Sequence, residues 1–596
     1  MSFGKAFLAS LLAIVVSSIF ISLIFFGIIG SMFSAFEPTP QIVKKNTVLK
    51  MSFDMPIGDV SYSSLNKNSF ELSQKLGITD ILTGIESAKA DDKIKGIYIN
   101  ITNLNAGIAT IKEIRDALED FKSSGKFIVA YHENYTKATY YLSSVADEIY
   151  VYPSGTFDFL GLGSEQLFLK GALEKLDVEM QIIRGTNNKF KSAVEPLMYT
   201  EMSDANREQT QKYLDALWNE MLISIEKSRG VSVEKLNEIA DHASIQKSGQ
   251  AVEYKLADGI KYYDEVLELL ASKVELNKDN EIEFFSFAEY VKKATKKKSN
   301  KLKLEEKEPN IAIIIAEGSI VDGNGEIGEI GGNSMAALIR EARLDSTIKS
   351  VVLRINSPGG SALASDIIWR EIVLTKEVKP VIVSMGNVAA SGGYYIACAA
   401  DKIYALPNTI TGSIGVFGVI PFTGNLLKNK LGVTIDRVQT NKHSILSFNK
   451  KLSPEEFGII QQGVDDIYAD FIGKVANGRS MTTAQVDSIG QGRVWAGTDA
   501  INIGLVDEFG GIDMAILDAA SRVNISAEDI NYKIYTTAKT DPMLEALISI
   551  QGQNKSSVSL KKSAFQTKLM DMFDFAKSIE SNAGIQARMP YIYWID

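Results

Sequence analysis

The second half of this chain repeats the first at a fixed offset, and that constrains its fold more than any other feature. Subtracting 254 carries Asp345, Ile348 and Lys349 onto Asp91, Ile94 and Lys95. The same shift, with no gap, carries Ile382-Val383 onto Ile128-Val129 and Tyr394-Tyr395 onto Tyr140-Tyr141. It also carries Asp401, Ile403, Tyr404 and Pro407 onto Asp147, Ile149, Tyr150 and Pro153, Gly415 onto Gly161, and Thr440-Asn441 onto Thr186-Asn187. So many identities at one offset describe a domain of roughly 250 residues written twice. The 596 residues are therefore not four independent units of about 150 residues each.

Within each copy, short β-rich runs alternate with helical ones. Val351–Ile355 and Val381–Met385 are short, rich in β-branched residues and bounded by Gly or Pro, the pattern of buried strands. Ser361–Glu377 has helical periodicity and opens on a serine suited to an N-cap. Strands alternating with helices indicate an α/β fold.

No charged residue occurs from Ala6 to Phe36, and about 20 apolar residues suffice to span a bilayer. A cleaved signal peptide would have a shorter apolar region and a small-x-small cleavage site, which Met32–Phe36 does not offer. Residues 1–40 are accordingly expected to form a single transmembrane anchor. Lys5 before the span and Lys44, Lys45 and Lys50 after it do not settle its orientation. The first copy is expected over 45–290, a charged linker or helix over 291–309, the second copy over 310–535, and a tail over 536–596. The tail has an amphipathic stretch, Leu560–Ile579, and an aromatic end, Tyr591–Trp594, expected to pack on the body or on a neighbouring subunit.

Sixty-three basic against 73 acidic residues leave a net charge of −10, which argues against a nucleic-acid partner bound through its phosphates. One cysteine, Cys398, excludes an intrachain disulfide or a cysteine metal cluster, and His132, His242 and His443 leave little material for a histidine site. No metal or cofactor is expected. Gly323–Gly328 formally matches a dinucleotide-binding pattern, but Glu326 and Glu329 would repel a pyrophosphate, and a surface loop is the simpler reading.

Two glycine-rich turns in the second copy can carry chemistry: Asn356-Ser357-Pro358-Gly359-Gly360 and Ala389-Ala390-Ser391-Gly392-Gly393. Glycines after a strand let backbone amides approach a ligand, which suits an oxyanion hole with Ser391 as nucleophile. Both segments also read as plain tight turns, with Ser391 a helix cap. A serine nucleophile needs a base. His443 is one candidate. The repeat offers another, because the first copy has Lys137 at the position of Ser391 and Asn105-Ala106 at that of Gly359-Gly360, yet holds Lys191 where the second copy has Ile445. Desolvation among apolar neighbours can leave a lysine neutral and able to accept a serine proton. Lys189 and Lys442 compete for that role.

These segments, with Thr411-Gly412-Ser413-Ile414-Gly415 and Lys191–Pro196, resemble the long form of the signal peptide peptidase SppA (protease IV) family. The resemblance covers nearly the whole region after the anchor, including the duplication. It implies two tandem ClpP/crotonase-like domains and a Ser/Lys-dyad endopeptidase, with Ser391 as nucleophile and Lys191 as general base. It further implies an oxyanion hole from the Gly360 and Gly392 amides and a lysine-supporting role for Ser413. The implied substrates are cleaved signal peptides and other peptides near the membrane, the implied assembly a homotetramer seated on the bilayer. The implied setting is the bacterial inner membrane, crossed once, with the soluble part on the periplasmic side. A crotonase-like acyl-CoA enzyme uses similar paired amides without a serine nucleophile, and a membrane scaffold without catalysis is the third reading.

Overall fold

The computed structural model describes residues 42–53, 55–65, 72–304, 307–538 and 584–589. Of these, 45–62, 74–538 and 584–589 form one compact unit, while 42–44, 63–65 and 72–73 belong to a second. The expected anchor, residues 1–40, lies outside the described residues, as do Leu560–Ile579 and Tyr591–Trp594. Among the described residues no helix is long and apolar enough to cross a membrane.

In the first half the chain runs through β1 (Thr47–Met51), α1 (Ile78–Ala90), β2 (Ile94–Ile99), α2 (Ile108–Lys122), β3 (Phe127–Tyr135) and β4 (Glu148–Phe157). It continues through β5 (Glu179–Arg184), α3 (Asp204–Arg229), β6 (Gly259–Ile260) and β7 (Phe284–Ser286). The sheet order is β7-β1-β2-β3-β4-β6, parallel throughout. The charged 291–309 stretch begins inside a helix, α4 (Phe287–Leu304), whose Phe287, Tyr290, Val291 and Ala294 are buried.

The second half runs through β8 (Ile311–Glu317), β9 (Ser319–Val321), α5 (Gly332–Leu344), β10 (Ser350–Ser357), β11 (Gly359–Ser361), α6 (Ala362–Lys376) and β12 (Val381–Ala390). Then come α7 (Gly392–Ala397), β13 (Ile410–Gly412), β14 (Phe417–Phe422), α8 (Pro454–Arg479), β15 (Val494–Ala496), β16 (Tyr532–Tyr535) and β17 (Gly584–Arg588). The main path of its sheet is β15-β13-β12-β10-β8-β16, antiparallel only between β13 and β15. Parallel strands are covered on both faces, so they read as continuous apolar runs. Residues 311–316 of β8, Ile-Ala-Ile-Ile-Ile-Ala, are all buried. The expected strands and helix of the second copy lie within β10, β12 and α6, and the Ser361 side chain caps α6 by accepting from the Ala364 amide. Cys398 is buried in the same core, as its small-residue surroundings suggest.

The first helices of the two copies match in position. α1 and α5 lie 254 residues apart at both ends, and so do α2 and α6. The match then slips: α3 starts at Asp204 and α8 at Pro454, an offset of 250. The first half also contributes a strand to a sheet of the second. A third sheet contains the path β9-β11-β17-β14-β5. In it β5 of the first half lies antiparallel to β14 of the second, from Arg184 opposite Phe417 to Glu179 opposite Phe422. Neither strand has a counterpart at the equivalent place in the other copy.

A buried charge cluster ties the halves elsewhere. Arg354 on β10 has no exposed surface and donates to Asp59 at 2.7 Å and to both oxygens of Glu113 on α2, at 2.6 and 3.1 Å. Glu113 also accepts from the Ile512 amide, and Asp59 from Asn356. The two carboxylates hold the guanidinium charged despite its burial. Removing one member of such a cluster leaves buried charge uncompensated and costs about 3–5 kcal/mol. Arg354→Met is expected to destabilise the protein by that amount, read as a lower urea midpoint, whereas breaking a surface pair such as Lys235–Glu238 should leave the midpoint nearly unchanged, because water screens it.

Candidate active site

Ser391 sits where β12 gives way to α7, in the backbone position before the first helical residue, with φ 55° and ψ −116°. A non-glycine residue with positive φ costs about 1–3 kcal/mol and persists only where its surroundings enforce it. Here the Ser391 amide donates to the Gly412 carbonyl at 2.8 Å. The Thr411 hydroxyl donates to the Ala389 carbonyl. Together these bind both sides of the elbow to β13.

Lys191 reaches the same point from the other half. After β5, the loop is pinned by Asn188, whose side-chain amide donates to the Val416 carbonyl at 2.6 Å, and by Phe190, whose amide donates to Gln491 at 2.9 Å. The Arg184 guanidinium donates to the carbonyls of Asn188 and Lys191. Lys191 Nζ then lies 2.9 Å from Ser391 Oγ, 3.0 Å from the Ser413 carbonyl and 3.0 Å from Ser413 Oγ. Lys191, Ser391 and Ser413 have no exposed surface. Burial alone pushes the Lys191 amine well below the usual lysine range.

These contacts suit a neutral amine, which has two N–H donors and one lone pair. The Ser413 hydroxyl donates to the Gly492 carbonyl at 3.3 Å. Its oxygen is then free to accept one Lys191 N–H, while the Ser413 carbonyl accepts the other. The lone pair is left facing the Ser391 hydroxyl. The competing bases lie elsewhere. His443 faces Glu455 and Glu456 at 3.3 and 3.5 Å, Lys442 pairs with Glu455, and exposed Lys189 packs its amine over the Phe190 ring.

The two glycine turns converge beside this pair. Gly359 and Gly360 have φ of 93° and 157°, and a β-carbon on Gly360 would lie 1.9 Å from the Ile320 carbonyl oxygen. No other residue fits that turn. A β-carbon on Gly359 would lie 2.6 Å from the Gly392 nitrogen, which puts the amide after Ser391 against the Gly359-Gly360 backbone. All five residues singled out in the sequence, Lys191, Gly360, Ser391, Gly392 and Ser413, thus meet in one buried place.

A model of peptidase family S49 matches residues 120–277 and 374–526, once in each half. Protease 4 of Salmonella typhi is 36% identical over 494 residues, covering 80% of this chain and 78% of that protein. This chain belongs to peptidase family S49. Protease 4 of Haemophilus influenzae is 36% identical over 77% of this chain and 75% of its own length. The chloroplastic serine protease SPPA of Arabidopsis thaliana is 33% identical over 92% and 78%. A Clp protease model matches residues 309–411. The protein is a serine-type peptidase of the S49 family with an α/β fold built from ClpP-like domains, acting on peptides.

Several parts of this candidate site were not visible in the sequence. Gln209, buried on α3, donates to the Phe190 carbonyl and to Ser192, and accepts from the Val494 amide of the other half. A polar residue within an apolar helical face was its only signal. β17, between β11 and β14, is a second element that no periodicity announced. Gly492 is the third: its φ is 80°, and a β-carbon there would lie 2.5 Å from Lys191 Cβ. Gly492→Ala is expected to push the lysine off Ser391 and reduce peptide hydrolysis about 10²-fold, the cost of an ångström-scale misplacement. Unchanged far-ultraviolet circular dichroism would show that the fold is retained.

Proposed function

We propose that this protein is a membrane-anchored endopeptidase with a Ser/Lys dyad shared between two repeated domains. The observation that carries this reading is the 2.9 Å contact between Lys191 Nζ and Ser391 Oγ in a pocket with no solvent access. Neutral Lys191 takes the Ser391 proton as Oγ attacks the peptide carbonyl. The Gly360 and Gly392 amides hold the developing oxyanion, and Ser413 keeps the amine aimed. Lys191 then protonates the leaving amine, and water hydrolyses the acyl-serine ester by the reverse proton path. Acyl-CoA chemistry on a related fold has no need for this contact.

The layout that goes with this reading is an anchor at 1–40, a first domain over 45–290, a connecting stretch at 291–309, a second domain over 310–535 and a tail over 536–596. The substrates are cleaved signal peptides and other peptides near the bilayer. The protein works as a homotetramer on the inner membrane, facing the periplasm. The uncharged run from Ala6 to Phe36 and the family membership support the anchor.

A fluorophosphonate probe is expected to label the wild type and not Ser391→Ala, while Lys191→Ala slows labelling and peptide hydrolysis about 10²–10⁴-fold. Because only the neutral amine accepts a proton, kcat/KM should fall as pH drops through the lowered Lys191 pKa and level off above it. Equal labelling of Lys191→Ala and wild type would refute the dyad.

A further inference from the structure

We propose that Tyr468 and Asp487 are positioning residues for the dyad: the Tyr468 hydroxyl, aimed by the Asp487 carboxylate, holds the Gln491-Gly492 turn against Lys191 and so keeps the amine dry and facing Ser391. The inference rests on the Ser/Lys reading of the site. Both residues act through the turn.

The turn needs holding. Gln491 and Gly492 have φ of 55° and 80°, and for Gln491 that left-handed conformation persists only where the surroundings enforce it. The carbonyls of the turn serve the site. That of Gln491 accepts from the Phe190 amide at 2.9 Å, and that of Gly492 from the Ser413 hydroxyl at 3.3 Å. Lys191 and the serine that orients it are therefore only as fixed as this turn.

Tyr468 is buried on α8. Its hydroxyl oxygen accepts from the Gln491 amide at 3.2 Å, and its proton is donated to Asp487 Oδ1 at 2.6 Å. Asp487 lies on the short helix Thr483–Ile489, and its other oxygen accepts from the Asn187 side-chain amide, four residues before Lys191. One carboxylate thus secures the lysine loop directly and the facing turn through Tyr468. Burial and that carboxylate push the phenol above its ordinary range, so the hydroxyl keeps its proton and its direction wherever Lys191 titrates.

The duplication shows how the pair became specialised. Subtracting 250 carries Tyr468 and Asp487 onto Trp218 and Asn237. There the same contact recurs, with Trp218 Nε1 donating to Asn237 Oδ1 at 2.8 Å. An indole nitrogen only donates, whereas a phenol hydroxyl also accepts. The second half therefore has, at an inherited contact, a side chain that can also receive the amide of the turn. The first half has Asp241-His242 where the turn has Gln491-Gly492.

Among the described residues, the charged groups around Lys191 are turned elsewhere. The Arg184 guanidinium lies on the Lys191 carbonyl, Glu195 accepts from Ser203 and Asn206, and Asp465 accepts from Thr186. Arg493 lies over the Phe190 ring and pairs with Glu208, and Lys189 stacks over the same ring. Burial alone lowers the Lys191 amine, so its titration reports how well the turn excludes water.

Peptide hydrolysis by the full chain, followed across pH, tests this. Tyr468→Phe removes one oxygen and keeps the ring. It is expected to lower kcat about 10- to 100-fold at unchanged KM. It should also move the acid limb of kcat/KM to higher pH, because a loosened turn lets water reach the amine. Asp487→Asn, whose carbonyl still accepts the Tyr468 proton, should keep most of the rate that Asp487→Ala loses, a comparison made with the tyrosine intact. The double variant Tyr468→Phe/Asp487→Ala should be no slower than Asp487→Ala alone, since both break one chain of contacts. A Tyr468→Phe enzyme with a lower urea midpoint but wild-type kcat and an unmoved acid limb makes the residue structural and overturns the proposal. A double variant whose loss is the product of the two single losses overturns it as well. Lys191→Ala taking the fluorophosphonate probe as fast as the wild type removes the Ser/Lys reading and this proposal with it. Slow labelling of Lys191→Ala beside an unchanged Tyr468→Phe removes this proposal alone.

Discussion

A lysine amine kept from water is the constraint on which the rest of this structure depends. Water or a nearby carboxylate would keep Lys191 protonated at neutral pH. The chain surrounds the amine with uncharged groups only: the Ser413 hydroxyl and main-chain carbonyl receive its two N–H bonds, and the Ser391 hydroxyl faces its lone pair. A group so desolvated lowers stability, because the unfolded chain binds a proton that the folded one does not. The deficit is full below the lowered folded pKa, shrinks as pH rises from there towards the ordinary lysine value, and is gone above it. Rigid supports on both sides offset it, among them the antiparallel pairing of β5 with β14 and the buried Arg354 cluster.

Duplication supplied the means. Each copy keeps the parallel sheet and its first helices at matching positions, and each departs from the other where the site is made. The first copy retains the lysine loop and gives up the glycine turns, while the second retains the serine elbow and has Ile445 at the lysine position. A shared sheet makes this division workable, since the loop after β5 brings Lys191 to a sheet in which β11 carries Gly359 and Gly360. Gln209 reinforces the junction by hydrogen bonding to both halves.

The same sheet explains why the tail matters. β17 lies antiparallel to β11 on one edge and β14 on the other, so a distant segment of the chain closes this sheet. The pairing also encloses side chains, since Ala587 and Met589 are buried there.

Much of this was legible in the residues. Alternating apolar runs and helical stretches announced the α/β class, the offset of 254 exposed the duplication, and the glycine turns marked where backbone could approach a substrate. Motif and repeat raised the glycine turns, Ser391 and Lys191 as candidates, because these depend on local residue types, while the roles of Gly360, Gly392 and Ser413 came from the family resemblance. The slip of the repeat to 250, the supports at Gln209 and Gly492, and the strand at Gly584–Arg588 were not legible. Each depends on contacts between residues far apart in the chain. On its own, the sequence left Lys189, Lys442 and His443 as open alternatives to Lys191. The tertiary structure places Lys191, and not the other three, buried against Ser391, because whether water reaches an amine depends on packing that two halves of the chain build together here.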